Sequence, residues 1–472
     1  MDVFAQQRTW QRAYRLSLSQ LACLGRHTLT GLICTAGRQW QDWSGDYSLF
    51  SHSPWQARRL FDPVIGGTLQ RLPATMPIVT ALDDTHLPKA GKKTPGVGWR
   101  RDPMGPPFQC NLIRAQRFIQ MSVMLVAADG PTRTVALPIR FDHAPSVPKP
   151  KRSAPPEAWK AYRQQSRQDN LSTRGLAVIK DIRLVLDQRH HAANRQLVVA
   201  VDNSYTNQYV IKGLPERTTL IGRIRKDTTL FHPATAQQQC PGARTRRYGR
   251  PAATPEQLRQ DTSIPWHCVE AFAAGKVHTF RVKTCGPLLW KKAGADKPLR
   301  LVVVAPVGYR LRKDSKLLYR QPAYLICLDP ELPLAKLVQY YLWRWPIEGN
   351  HRDEKQAVGV GEAQVRAEQS VDRQPAFAVA SYAMLRLAGV QAFGLEATES
   401  TVPPPKWRAS DAKQGLSVQD LIQQLRREVW AYALDQLAAN SGGFTTTLKP
   451  VLKLSEPQLP LAPAAVYATN GR

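Results

Sequence analysis

The chain has 472 residues, 43 % of them hydrophobic, and its 65 Lys+Arg against 36 Asp+Glu give a net charge of +29. This length suits about two to four domains, and the hydrophobic fraction excludes wholesale disorder. No stretch approaches roughly 18 uninterrupted apolar residues, so we expect no membrane span. The first residues lack the apolar centre of a signal peptide.

The excess of positive charge is the first indication of a partner. Such a charge attracts polyanions and releases counterions when it meets phosphates, so nucleic acid is the leading candidate. A membrane surface or a ribosome is the alternative. The seven scattered cysteines include no Cys-x-x-Cys pair, which favours free thiols in a reducing compartment over a zinc site.

Residues 1–75 are predicted to form a helical N-terminal DNA-binding region. Apolar residues recur at helical spacing over 8–24 and again over 28–36, with a Gly-Arg-His turn between them. This order is typical of a helix-turn-helix, and a plain helical cap on the next domain is an equally good interpretation. In the first interpretation these residues contact phosphates: Arg26, His27, Arg38, Arg58 and Arg59.

A strand pattern begins at residue 76. A short apolar run over 78–82 leads into Asp83-Asp-Thr85, and a basic loop with glycines and prolines follows. Two further strands are predicted at 118–128 and 134–141. Residues 144–170 are rich in proline and basic residues and are predicted to be a linker.

A helix is predicted over 171–189, followed by a continuous apolar strand over 197–201 and another strand over 218–224. Strand, strand, strand, helix, strand is the order of a ribonuclease-H-like α/β domain. In a sheet of that kind the first and fourth strands are neighbours. Asp83 and Asp202, each at the end of its strand, are therefore expected to lie side by side although they are far apart in sequence.

The remaining chain divides into three predicted parts. Residues 76–224 form the first part of the catalytic domain, 225–315 a basic strand-rich insertion, and 316–395 the second part. Pro333 is predicted to open the helix of Glu348, and Gln374-Pro375 to interrupt the helical pattern beyond it. Residues 396–472 are predicted to be a C-terminal helical region, capped at Ser417, and a proline-containing tail.

Four side chains with functional chemistry lie in the segment that contains Glu348. Tyr341, Arg344, Glu348 and Lys355 have offsets that place them on one narrow stripe of a single helix at about 100° per residue. Pro346 is expected to kink this helix, so the stripe is approximate. An acid flanked by two bases and an aromatic ring suits a metal-bound phosphodiester. A solvated charged face is the ordinary alternative.

The three acids Asp83, Asp202 and Glu348 have the chemistry of a two-metal site. Mg²⁺ prefers oxygen ligands, and two ions about 3.5–4 Å apart can hold both the attacking and the leaving oxygen of a phosphoryl displacement. Taken alone, Asp83-Asp-Thr85 is more typical of a turn than of a metal site, and only its occurrence together with Asp202 and Glu348 favours the metal site. Asp83 and Asp84 compete for the first position, and the Asp-x-Thr pattern favours Asp83.

The chain resembles the DDE transposases of bacterial insertion sequences, in the subgroup with a Tyr-x2-Arg-x3-Glu-x6-Lys signature. Tyr341, Arg344, Glu348 and Lys355 fill that signature. The resemblance extends to Leu82-Asp-Asp-Thr-His-Leu-Pro-Lys89 and to Val199-Ala-Val-Asp202-Asn-Ser-Tyr205, the family's acidic blocks.

The resemblance implies a transposase that binds two Mg²⁺ or Mn²⁺ ions and acts as a homodimer on double-stranded DNA. The DNA would comprise the terminal inverted repeats of the element and the target DNA. The protein would lie in the bacterial cytoplasm, associated with the nucleoid. It implies that Tyr341, Arg344 and Lys355 bind DNA near the cleaved strand, and that an aromatic residue such as Trp290 or Tyr319 could hold a flipped base. Two alternatives stay open: a DNA-binding protein that has lost catalysis, and a metal-dependent nuclease of the same fold that acts on RNA or branched DNA.

Overall fold

The computed structural model describes residues 3–91, 93–102, 105, 111–126, 134–235, 247–291, 293–311, 314–395 and 416–440. Its strands are β1 (Ile78–Pro88), β2 (Gly98–Arg101), β3 (Leu112–Val126), β4 (Thr134–His143), β5 (Leu197–Val201), β6 (Thr218–Arg223), β7 (Phe231–Pro233), β8 (Tyr248–Pro251), β9 (His267–Ala273), β10 (Lys276–Trp290), β11 (Gly294–Val304), β12 (Gly308–Tyr309), β13 (Leu318–Tyr319) and β14 (Ala323–Cys327). Its α-helices are α1 (Gln7–Ala22), α2 (Leu29–Thr35), α3 (Ser44–Ser51), α4 (Asp62–Leu69), α5 (Pro156–Gln168), α6 (Leu171–Asp187), α7 (Gln208–Gly213), α8 (Pro255–Gln260), α9 (Leu334–Leu342), α10 (Pro346–Gln356), α11 (Glu368–Phe393) and α12 (Val418–Asn440).

One large mixed sheet organises these elements, as expected for an α/β protein. Its order is β2-β3-β1-β5-β6-β14-β11-β10-β7-β8, with β4 paired to β3 and β9 paired to β10. β1, β3 and β4 are antiparallel neighbours, whereas β5 runs parallel to both β1 and β6. The expected neighbouring of the first strand and the strand over 197–201 is therefore confirmed.

The sequence explains β5 and β1 in different ways. Every residue of β5 is buried, as a strand with parallel neighbours on both sides and covered faces requires. β1 was predicted to end at Leu82, but it continues to Pro88. Beyond Leu82 the strand loses its β5 partner and stays paired with β3, so polar residues are tolerated there without ending the strand.

The segments predicted to be a loop and a linker contain regular structure. Part of the basic loop is β2, which pairs with β3. The proposed linker contains α5, which begins at Pro156 because a proline at the first helical position gives up no hydrogen bond. Both predictions were wrong for the same reason: proline and basic residues are compatible with helix starts and edge strands.

The strands of residues 225–315 join the same sheet, apart from β12, which pairs with β13 in a separate hairpin. β14 then returns to lie beside β6. The division of the chain into five regions stays a prediction.

The N-terminal helices α1, α3 and α4 pack against α11. Thr28 caps α2 by accepting a hydrogen bond from the Gly31 amide at 3.1 Å. His27 was predicted to contact phosphate, but it is 7 % exposed and its amide donates to Glu362 at 2.6 Å. That prediction is corrected, because the ring is enclosed between the turn and the segment that follows α10.

α11 passes through Pro375 without interruption, contrary to the prediction, since both Gln374 and Pro375 are buried in the packed helix. By length and composition this helix could also span a bilayer, which the sequence reading did not anticipate. Half of its most apolar window is buried, and it packs on β4 and the N-terminal helices as a core helix does. α12 begins with the predicted cap, in which the Ser417 hydroxyl donates to Asp420 at 2.7 Å. The proline-containing tail lies outside the described residues.

Candidate active site

The parallel ladder of β1 and β5 brings two of the predicted acids together. Leu82 pairs with Val201 at the last position of this ladder. Asp83 and Asp202 are the next residues of the two chains, and equivalent residues of neighbouring strands lie about 5 Å apart. The negative charge of Asp202 contributes to a raised pKa of Asp83, as expected for neighbouring carboxylates.

Asp83 and Asp84 have different surroundings because successive residues of a strand point to opposite faces of the sheet. The Asp83 carboxylate lies 3.3 Å from the Arg344 guanidinium. Asp84 accepts a hydrogen bond from the Tyr205 hydroxyl at 3.4 Å and lies 3.9 Å from the His86 ring. Of the two, Asp83 contacts the segment that contains Glu348.

The segment of the four-residue signature is not one helix. Pro333 is the cap of α9, which contains Tyr341, whereas Glu348 and Lys355 belong to α10. Arg344 lies in the turn between them. The predicted single stripe was wrong because Pro346 lacks an amide hydrogen and begins a new helix instead of continuing the first.

Arg344 nevertheless joins the two halves of the signature to the sheet. Its guanidinium contacts Asp83 at 3.3 Å and Glu348 at 3.0 Å, and its side chain is 12 % exposed. The Arg344 backbone amide donates to the Tyr341 carbonyl at 3.1 Å, and burial raises the pKa of the Tyr341 hydroxyl. The contacts link Tyr341, Arg344, Glu348 and Asp83 in one group.

α10 is held against the sheet by a buried polar residue two positions after Glu348. The Asn350 amide donates to the Ser122 hydroxyl at 3.3 Å and to the Ala136 carbonyl at 3.2 Å, and it accepts from the Tyr382 hydroxyl at 2.9 Å. Asn350 thereby fixes the helix that presents Glu348 relative to β3, β4 and α11.

The loop after α10 is fixed as well. Lys89, 5 % exposed at the end of β1, donates to the carbonyls of Gly361 and Ala363 at 2.5 and 2.7 Å. Gln20 of α1 donates to the Val358 carbonyl at 2.6 Å. Both ends of α10 are therefore fastened to other elements.

Lys355 lies apart from the Asp83 group, near the C-terminal end of α10. Burial lowers the pKa of its ammonium, and no carboxylate in the described ranges forms an ion pair with it within 4 Å. A half-buried cation without an ion pair is available to an anionic ligand.

A family model described as DDE superfamily endonuclease matches residues 2–290. The chain belongs to this family. No curated protein matches it at a significant level. The match includes Asp83 and Asp202 and ends before Glu348.

A DDE superfamily endonuclease cleaves phosphodiester bonds in DNA, and such enzymes generally use divalent metal ions. The acids of this endonuclease have suitable chemistry, since carboxylate oxygens are the ligands that Mg²⁺ prefers. Burial raises the pKa of Asp83 to about 6, with a further rise from Asp202 that His351 and Arg344 oppose. Added positive charge stabilises the ionised form of a buried acid of this kind, and a divalent cation would supply it.

The geometry of the described residues includes no group of three His, Cys, Asp or Glu side chains close enough to hold one ion. Arg344 contacts two of the three acids, so a cation that joins them must displace its guanidinium. The convergence of Asp83, Asp202 and Glu348 on shared ions stays a prediction.

Two residues of the candidate site were given no role by the sequence analysis. Tyr205 is fully buried, its hydroxyl donates to Asp84, and its position three residues after Asp202 was a usable signal. His351 is 9 % exposed, lies 3.5 Å from Glu354, and its charge lowers the pKa of Asp83. Its helical offset of three from Glu348 could have placed it on the same face.

Proposed function

We propose that this endonuclease is a DNA transposase that performs metal-dependent strand cleavage and strand transfer at the ends of an insertion sequence. The observation that carries the proposal is the group formed by Asp83, Arg344 and Glu348 at the point where β1 separates from β5, next to Asp202. It joins the first acidic block to the Arg and Glu of the Tyr-x2-Arg-x3-Glu-x6-Lys signature.

The sheet supports a ribonuclease-H-like catalytic fold. Three antiparallel strands, β1, β3 and β4, are followed by α6 and then by β5 and β6, which run parallel to β1. This is the strand order of that fold, with β2 added at the edge. Fold analogy alone says little about function, so the proposal depends on the site.

Asp83, Asp202 and Glu348 would hold the metal ions, Mg²⁺ or Mn²⁺, as a pair. When bound, such ions supply positive charge to the attacking and the leaving oxygen of the phosphodiester. Asp83, on the central strand between the other two acids, would bridge the ions. The nucleophile would be water in strand cleavage and a DNA 3′-hydroxyl in strand transfer.

Arg344, Tyr341 and Lys355 would bind the DNA. In the present structure Arg344 neutralises Asp83 and Glu348. Because a guanidinium matches a phosphate as well as a carboxylate, Arg344 can transfer its contacts to a phosphate when these acids acquire a metal ion. Lys355 would hold a second phosphate, and the Tyr341 ring would pack on the nucleotide.

The charge of +29 supports a long duplex as the substrate, comprising the terminal inverted repeats and the target DNA. Joining two ends in one reaction requires two active sites, so we propose a homodimer on DNA. An enzyme of this kind works in the bacterial cytoplasm, in contact with the nucleoid.

The proposal is tested with Asp202→Asn. This change removes one metal ligand while keeping the size of the side chain and its contact with Ser204, which the Asp202 carboxylate makes at 2.8 Å. We expect Mg²⁺-dependent nicking of a duplex containing the element end to be abolished while binding of the same duplex in EDTA is nearly unchanged.

Nicking by Asp202→Asn at the wild-type rate would reject the site. Wild-type protein that binds the ends but never nicks them would instead support a DNA-binding protein that has lost catalysis.

A further inference from the structure

A group of cations lies on the other face of β1 from Asp83, around His86. His86 of β1 is aligned with Arg117 of the neighbouring strand β3. The positive charges of Arg100, Arg117 and Lys355 all act on its ring and, together with burial, lower the pKa of His86 to about 4. Three neighbouring strands, β1, β2 and β3, thus contribute to one basic cluster, and the charge of Lys355 on α10 reaches it.

The acids in this region do not balance the cations. Asp84 raises the pKa of Arg100, and Asp102 raises that of His86 and of Lys355, yet all three bases keep a lowered pKa. Burial is the largest cause for each, and for Arg100 the charge of Arg117 adds to it.

The hydrogen bonds of the two arginines leave part of their donor capacity unused. Arg100 donates to the Ser146 hydroxyl at 3.2 Å, but its buried Nε has no partner. Arg117 donates to the Ala144 carbonyl at 3.3 Å. Partly buried cations that repel one another and keep free donors are stabilised by an anion.

The edge of the sheet beside this basic cluster presents an aromatic side chain. β2 pairs with β3 and ends the sheet. Trp99 of β2 is 68 % exposed, and the Arg114 guanidinium lies 6.0 Å from its ring centroid. An exposed indole next to guanidinium groups is a surface on which a nucleic-acid base stacks.

We infer that His86, Arg100 and Arg117 form a second phosphate-binding site, which holds the backbone of a DNA strand as it crosses the β2 edge, with Trp99 stacked on a neighbouring nucleotide. The inference deepens the proposed function by adding a DNA path that leaves the catalytic acids over β2. Trp99 and Arg100 point to opposite faces of the edge strand, so a strand that crosses the edge meets both.

The test measures binding of a labelled duplex with a single-stranded tail in EDTA over a range of NaCl concentrations. Arg100→Gln removes one phosphate contact, so the slope of log K against log salt should fall by about one unit. Arg100→Lys keeps the charge and should keep the slope. Lys180→Gln, which removes an exposed charge on α6, is the matched control and should also leave the slope unchanged.

Trp99→Ala should weaken binding of the tailed duplex about tenfold without changing the salt slope. Inorganic phosphate binds without stacking, so it should compete with the duplex equally well in Trp99→Ala and in the wild type. An unchanged slope in Arg100→Gln overturns the phosphate site, and unchanged affinity in Trp99→Ala overturns the DNA strand as its occupant.

These outcomes are separate from the test of catalysis, since binding is measured without metal. Wild-type protein that fails to nick DNA while Arg100→Gln lowers the slope contradicts the proposed function alone. Normal nicking with an unchanged slope contradicts this inference alone.

Discussion

Arg344 makes the two contacts that hold Asp83 and Glu348 in one group, at 3.3 and 3.0 Å. Without it the pKa of Asp83, already raised to about 6 by burial, would rise further, because Arg344 is one of the charges that oppose the rise. In the proposed metal site the same guanidinium would compete with a metal ion for these acids. Arg344 therefore stabilises the acids in this structure and would have to move when the proposed ions bind.

The adjacent acids Asp83 and Asp84 provide a matched pair of variants. Asp83→Asn should lower Mg²⁺-dependent nicking by more than about a hundredfold, beyond the 10–100-fold typical of groups outside the ligand shell. Asp84→Asn, which removes a charge but keeps an oxygen that can accept from the Tyr205 hydroxyl, should stay within about tenfold of the wild type. Nicking rates at saturating Mg²⁺ measure both, and the reverse order of effects would assign the first ligand to Asp84.

For single residues, the sequence predicted which residue types form the candidate site better than it predicted the surroundings of each side chain. The Asp-x-Thr pattern favoured Asp83, and the structure connects Asp83 with Arg344. His27 was wrongly expected to contact phosphate because burial by a segment more than 300 positions away is not visible in a local pattern. Tyr205 and His351 were missed for a related reason, since their importance depends on tertiary neighbours.

Among the elements, the turn between α9 and α10 determines how Glu348 meets the sheet. The amides of Arg344 and Trp345 bond to carbonyls three residues earlier, at 3.1 Å each, and Pro346 then begins α10. In a continuous helix Glu348 would instead lie on one stripe with Tyr341 and Arg344, as the spacing predicts. The offsets of the signature were read correctly, but one proline made the geometry different.

Pro346→Ala tests this element. Alanine permits the amide bond to the Leu342 carbonyl that proline forbids, so a straight helix can compete with the turn. We expect nicking to fall about tenfold or more while duplex binding in EDTA changes little. Pro333→Ala, at the cap of α9, is the control and should nick normally; equal losses in both variants would mean that the turn has no special role.

The helices and strands that were predicted accurately have a clear signal in their local sequence. β5 was predicted at its observed bounds because a continuous apolar run between breaks is typical of a buried parallel strand. α6 begins at the predicted residue because Asn170 caps it. β1 was predicted too short and β2 was missed, because pairing with β3 rather than local hydrophobicity maintains them.

For the whole molecule, the large sheet continues through the segment predicted to be an insertion, which no local pattern could show. Long-range pairing, such as that of β14 with β6, decides this arrangement. The N-terminal helices cover one part of the sheet, and a cavity of 580 Å³ lies between residues 55–58, β4, α6 and α11. Several charged residues line this cavity, among them Asp142.

Asp142 makes the stability of the molecule depend on pH. Burial raises its pKa to about 6, with smaller rises from Asp372 and Asp181 that Arg140 and Arg58 oppose. The folded state therefore binds a proton more tightly than the unfolded state, and the free energy of unfolding falls as pH rises from about 4 to about 6. At pH above this window the ionised group is a cost to folding.

Asp142→Asn removes this cost. We expect the variant to be more stable than the wild type by about 1 kcal/mol at pH above 7, after discounting for partial exposure, and equal to it near pH 4. Asp181→Asn is the opposite control, since it removes the carboxylate 2.7 Å from Arg140 and should destabilise the protein. Denaturant unfolding at several pH values measures the free energy of unfolding of both variants. If Asp142→Asn differed from the wild type by the same amount at every pH, the raised pKa of Asp142 would be refuted.

Iron-directed cleavage of the polypeptide tests the shared metal site most directly. Fe²⁺ is bound in place of Mg²⁺, radicals are generated with ascorbate and peroxide, and the protein fragments are sized by mass spectrometry. We predict cleavage next to Asp83, Asp202 and Glu348 together, suppressed by excess Mg²⁺ and lost in Asp202→Asn. Cleavage near one acid alone, or the same fragments in Asp202→Asn, would contradict a site built by all three.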